Sequence, residues 1–105
     1  MKTLEHLLAP IQINALEIPN RLVMSSMVTF LGNEDSTVSE ANLAYMKRRA
    51  QSGAGLIFTE ALEVHPLGSG APQCLAIWDD RFIPGLSKLV DVVHAEGGKI
   101  AAQRR

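Results

Sequence analysis

Cysteine occurs once in this chain, at Cys74, and no C-x-x-C pair exists. An intrachain disulfide is therefore impossible, and a thiolate zinc or iron–sulfur site cannot be built from these residues. Aromatic residues make up only 5% of the chain. No apolar run approaches the ~20 residues of a membrane helix. Neither sign of charge dominates: 10 basic against 11 acidic residues leave a net charge of −1. That balance gives no long-range field to favour nucleic acid or anionic lipid. The amino terminus, Met-Lys-Thr-Leu-Glu-His, has no apolar stretch, which excludes a signal peptide. These absences point to a cytoplasmic protein with no nucleic-acid or membrane partner.

What is present is an ordinary globular composition, 47% hydrophobic and 20% charged over 105 residues, enough for one domain or less. Three segments read as interior strands: Arg21-Leu-Val-Met-Ser-Ser-Met27, Gly55-Leu-Ile-Phe-Thr-Glu-Ala61 and Gly98-Lys-Ile-Ala-Ala-Gln103. Leu22-Val-Met24 is apolar at successive positions, as a strand covered on both faces should be. A short helical turn at Leu4 to Leu8 and a β-hairpin across Asn14-Ala15 precede them. Between the first two strands, Thr37-Val-Ser-Glu40 fits a capping box, and Leu43, Met46 and Ala50 give a helical stripe that Gly53 ends. Between the last two, Pro84 opens a helix with Leu86, Leu89, Val90 and Val93 on one face. Glu63 to Trp78 holds Pro66, Gly68, Gly70 and Pro72 and reads as a long loop of the functional kind.

The order hairpin, β, α, β, α, β predicts an α/β fold with right-handed crossovers and a parallel sheet. A (β/α)₈ barrel and a doubly wound open sheet both begin this way, and a hairpin that can plug the barrel's amino-terminal end tilts toward the barrel. In either fold, ligands bind at the carboxyl ends of the strands. Those ends carry Ser25, Ser26, Met27, Val28 and Thr29, then Thr59, Glu60 and Ala61, then Gln103. Small residues there let a flat ligand approach the backbone, and the Gln103 amide suits a ring with alternating donors and acceptors. The plainer reading is that they are small sheet-layer residues satisfied by neighbouring loops. Glu60 can serve as a general acid or base, although an ion pair with a neighbouring element is the simpler expectation. His6, His65 and His94 lack ligand spacing, so no metal site is expected. Gly68-Ser-Gly70 lacks the lysine of a P-loop and is a weak phosphate cradle.

Taken together, several motifs resemble the old yellow enzyme family of NAD(P)H:flavin oxidoreductases. They are Asn20-Arg21-Leu-Val-Met-Ser-Ser-Met27, Tyr45-x-x-Arg48-Arg49-Ala50-x-x-Gly53, Gly55-Leu-Ile-Phe-Thr-Glu60-Ala61, Ile77-Trp78-Asp79-Asp80 and Val93-His94-x-x-Gly97-x-Lys99-Ile-x-x-Gln103. The resemblance implies a (β/α)₈ barrel with FMN at its carboxyl-terminal mouth. Residues 1–105 would then be its amino-terminal segment: the hairpin, the first three strands and two helices of a partial barrel. It also implies cofactor contacts: Ser25, Ser26, Met27 and Val28 along the flavin through backbone groups, Ala61 near its ring, and Gln103 on its pyrimidine edge. NAD(P)H would be the reductant, and the substrate a small molecule with an activated alkene, an enone or an enoyl-CoA-like compound.

Two departures from the family pattern stand out. Val28 replaces a hydrogen-bonding Thr or Cys, and the run Ser26 to Thr29 looks like the 2,4-dienoyl-CoA reductase branch. That branch often carries a 4Fe-4S cluster, which would belong to a later, carboxyl-terminal part. Arg104-Arg105 stands where the family continues toward His-x-Gly-Arg, so no catalytic residue of the family is expected within the chain. On this reading the chain alone neither holds FMN tightly nor turns over, and its unpaired strand edges favour self-association. Two rival readings are a non-catalytic half-barrel that assembles with itself or another chain, and a non-flavin barrel enzyme using Glu60.

Overall fold

The computed structural model describes residues 4–68 and 71–105. Residues 1–3 of the amino-terminal reading, and Ser69 and Gly70 of the glycine-rich stretch, lie outside the described residues. A single helical turn, α1 (Glu5–Leu8), leads into β1 (Ile11–Ile13) and β2 (Leu16–Ile18). These two strands pair antiparallel, with Ile11 opposite Ile18 and Ile13 opposite Leu16. Asn14 turns the hairpin at φ 52°, in the left-handed region that asparagine tolerates better than most residues.

The main sheet has three parallel strands, β3 (Val23–Met24), β4 (Leu56–Leu62) and β5 (Ile100–Arg104), with β4 in the centre. Helices α2 (Glu40–Ala50) and α3 (Ile83–Ala95) connect them in the expected order. Six of the seven β4 residues are buried, which explains its near-continuous apolar run: both faces are covered. Met46 and Ala50 of α2, Leu89 and Val93 of α3, and Ile57 of β4 form the core, so the two predicted helical stripes meet over the sheet.

Asn20 sets where β3 meets β4. Its Nδ2 donates to the Gly53 carbonyl at 2.8 Å, while its Oδ1 accepts from the amides of Leu22 at 3.0 Å and Gly55 at 2.8 Å. Gly55 is required there, because a Cβ would sit 2.4 Å from the Asn20 carbonyl oxygen. Gly53, at φ +86°, provides the reversal after α2.

Two expectations need correction. The first strand is far shorter than Arg21 to Met27: only Val23 and Met24 pair, and Leu22 and Val23 are 40% and 51% exposed. With β4 on one side only, β3 is an edge among the described residues, and the chain leaves the sheet after Met24. The helix cap is Ser39 with Asn42, not Thr37 with Glu40. Thr37 instead closes a turn on Asp35, both its amide and its hydroxyl donating to Oδ1, and Ser39 is left as the residue preceding the first helical amides. Between β4 and the turn at Asp80 the described residues form a long loop, as expected, and its returning part packs onto the end of β4: Cys74, Leu75 and Ala76 are buried, the Glu63 amide donates to the Leu75 carbonyl at 3.0 Å, and the Ile77 amide donates to the Glu63 carbonyl at 2.9 Å.

Candidate functional site

The carboxyl ends of β3, β4 and β5 lie side by side, and the residues singled out from the sequence can be placed on them. Ala61 and Gln103 are direct register partners across β4 and β5. Ala61 is buried, while Gln103 is exposed and its side-chain amide makes no hydrogen bond among the described residues. The Gln103 backbone amide is fixed instead, donating to Thr59 Oγ1 at 3.1 Å. Ser25, Ser26, Met27 and Val28 follow β3 without regular secondary structure. Ser26, Met27 and Val28 make no hydrogen bond among the described residues, and Met27 is 63% exposed. What ties this segment to β4 is the next residue: the Thr29 hydroxyl donates to Glu60 Oε1 at 2.9 Å.

The ion pair expected of Glu60 is not formed among the described residues, since no cation faces it. Its Oε1 accepts from Thr29 and from Asn42 Nδ2 at 3.4 Å, and its Oε2 is buried without a partner. Burial pushes the carboxyl above its ordinary range, and the Thr29 hydrogen bond pulls the other way. The ion pair is made by the neighbouring buried acid: Glu63 Oε1 lies 3.6 Å from Arg105 Nη2. Cys74 is buried, and desolvation pushes its thiol up. His65 Nδ1 accepts from the Leu67 amide at 3.1 Å, a local turn bond. Among the described residues no three His, Cys, Asp or Glu side chains cluster in a way that could hold a metal ion.

Asn42 is the residue that sequence reading missed. It lies four residues before Met46 and eight before Ala50, on the core side of α2, and is 2% exposed. A polar side chain on an otherwise apolar stripe was the available signal. Of two cavities, one lies away from the rim and one reaches it. One of about 280 Å³ runs between α3 and β5, lined by Leu62, Ile77, Leu86, Leu89, Val90 and Ile100 with few polar groups, which is a packing surface. Another of about 560 Å³ is lined by Phe58 of β4, Val64, and Gln103, Arg104 and Arg105, and so reaches the rim at Gln103.

Residues 6–104 match the family described as NADH:flavin oxidoreductase / NADH oxidase. The chain belongs to that family. Similar proteins include an NADH oxidase of Thermoanaerobacter brockii, 40% identical over 88% of this chain and 14% of its own length. An NADPH dehydrogenase of Bacillus subtilis is 38% identical over 92% of this chain and 29% of its own. The structure of Old Yellow Enzyme from Pichia sp. AKU4542 superposes with a TM-score of 0.88 at 30% identity, covering 94% of this chain and 26% of that one. This member of the NADH:flavin oxidoreductase family is thus of the old yellow enzyme type, and its α/β sheet is part of such a barrel. It spans 14% to 29% of the length of the curated relatives it matches. Among the described residues no helix is long and apolar enough to cross a membrane.

Proposed function

We propose that the chain forms the amino-terminal flank of an FMN site in an NAD(P)H-dependent oxidoreductase of the ene-reductase type. Residues 1–105 would supply the first strands of a (β/α)₈ barrel. One observation carries this reading: Ala61 and Gln103 are paired on adjacent strands, and Thr29 anchors the 25–28 segment to Glu60, the neighbour of Ala61.

The rim fits a flat, hydrogen-bonding heterocycle. Gln103 offers two donors and an acceptor that nothing in the described chain uses. The main chain of Ser26, Met27 and Val28 presents free N–H and C=O groups, and Ala61 leaves room for a ring. Val28 brings no side-chain donor, so whatever that position contributes comes through its backbone. FMN, when bound, supplies the redox chemistry of hydride transfer from NAD(P)H to an activated alkene. The chain's own share is to hold the pyrimidine edge, line one face and exclude water through Met27. The Ser26 to Thr29 run favours an enone or enoyl-CoA-like substrate, by its likeness to the 2,4-dienoyl-CoA reductase branch.

The test is a chimera in which this chain replaces the matching segment of the Bacillus subtilis NADPH dehydrogenase. The chimera should keep yellow FMN through desalting, and Gln103→Ala should weaken that retention. A chimera that melts cooperatively yet comes out colourless refutes the reading. A second property is expected of the isolated chain. The exposed β3 edge, with Leu22 and Val23 facing solvent, favours self-association, which light scattering would record as a mass rising with concentration.

A further inference from the structure

Glu60 and four other residues close a ring of hydrogen bonds. The Leu31 amide donates to Thr29 Oγ1 at 3.3 Å, and the Thr29 hydroxyl donates to Glu60 Oε1 at 2.9 Å. Asn42 Nδ2 donates to the same Oε1 at 3.4 Å, and Asn42 Oδ1 accepts from the Ser39 amide at 2.9 Å. The Ser39 hydroxyl donates to the Leu31 carbonyl, which returns the circuit to its start. The ring joins the segment leaving β3, the first turn of α2 and the end of β4. Inside it, between Thr29 and Leu31, Phe30 holds φ 55°. That is a costly conformation for a bulky residue, and one that persists only where its surroundings impose it.

Stability alone does not account for a carboxylate at the centre. Glu60 is 7% exposed, and its Oε2 is buried with no partner in the described chain. An unpaired buried carboxyl oxygen costs stability, whereas Oε1 does all the observed bonding. Local rules broken at a buried polar centre beside a ligand rim are the mark of a site held for function.

We propose that Glu60 is a positioning residue: through Thr29 and Asn42 it fixes the segment after β3 against the carboxyl end of β4, and so sets how the main chain of Ser26, Met27 and Val28 is presented to the flavin. The flavin clause rests on the function proposed above; the ring itself does not.

The amides of Leu31 and Ser39 report the ring directly, because each donates to one of its side chains. Hydrogen exchange on the 105-residue chain, without FMN, compares wild type with Glu60→Ala, Thr29→Val and Glu60→Gln. Glu60→Ala and Thr29→Val should speed exchange at Leu31 about tenfold, the effect of one lost hydrogen bond. Glu60→Gln keeps the accepting Oε1 and should restore protection. An unprotected Leu31 amide in wild type, unchanged exchange in Glu60→Ala, or failure of Glu60→Gln to rescue would each overturn the proposal. FMN retention is then read in the Bacillus subtilis chimera carrying the same substitutions, where Glu60→Ala should lower it and Glu60→Gln should not. A colourless wild-type chimera removes the flavin reading and leaves the exchange result to judge the ring. A yellow chimera equally retentive with Glu60→Ala removes the positioning role and leaves the flavin reading intact.

Discussion

Replacing Asn20 with alanine removes three hydrogen bonds at once and tests how the sheet is registered. The lost partners are the Gly53 carbonyl, at 2.8 Å, and the Leu22 and Gly55 amides, at 3.0 and 2.8 Å. Each bond contributes about 1 kcal/mol net, less where water can substitute. Two of the three are solvent-accessible and one is part-buried, so Asn20→Ala should cost about 2 kcal/mol. For a domain of this size that corresponds to a fall in Tm of about 10 °C. Asn20→Asp keeps both acceptor contacts but sets a carboxylate oxygen against the Gly53 carbonyl oxygen in place of the donor, so it should recover at most part of that loss. The assay is thermal unfolding by far-UV circular dichroism at one fixed protein concentration, since association would itself move Tm. If Asn20→Ala melts within about 2 °C of wild type, the side chain is not what joins the α2–β4 turn to β3, and the reasoning fails.

Three further outcomes are expected. Gly55→Ala forces a Cβ to within 2.4 Å of the Asn20 carbonyl oxygen, so the backbone must move; a loss of about 2 kcal/mol or more is expected in urea unfolding. Leu89→Ala, at a 2% exposed core position between α3 and the sheet, should cost about 2–5 kcal/mol in the same assay. Glu60 makes stability depend on pH in a defined direction. Its folded carboxyl titrates above the ordinary value of about 4.3, so the protonated form favours folding. That contribution is complete below the ordinary value and is lost as pH rises through the raised one. Relative to Glu60→Gln, wild type should therefore lose stability between mildly acidic and neutral pH. A difference that is flat or grows with pH contradicts the burial of that carboxyl.

Much of the fold is readable from local signals. Asn14-Ala15 marks the hairpin turn, the i, i+3, i+4 stripes mark α2 and α3, and Gly55-Leu-Ile-Phe58 marks the start of the central strand. The errors share a physical cause. Leu22-Val-Met24 has the composition of a buried strand, yet strand length depends on which neighbours pair, and only β4 pairs with it here. Thr37 and Ser39 each precede a polar residue by three positions, and only the three-dimensional path decides which caps α2. The partners of Glu60 were hidden for a different reason. Thr29 lies 31 residues away and Asn42 lies 18 away, so no spacing rule connects them. Ala61 and Gln103 lie near the ends of adjacent strands, a placement that the strand order in the sequence already implied. The family resemblance named them, and their pairing places them together.

The claim on which the account turns is that Ser25 to Val28, Ala61 and Gln103 form one flavin-facing surface. A titration of the ¹⁵N-labelled chain with FMN at millimolar concentration, followed by amide chemical shifts, addresses it directly. The account predicts that Ser26, Met27, Val28, Ala61 and Gln103 shift together along a single binding curve. Shifts confined to Arg104 and Arg105, scattered over unrelated surfaces, or absent at millimolar FMN would contradict it.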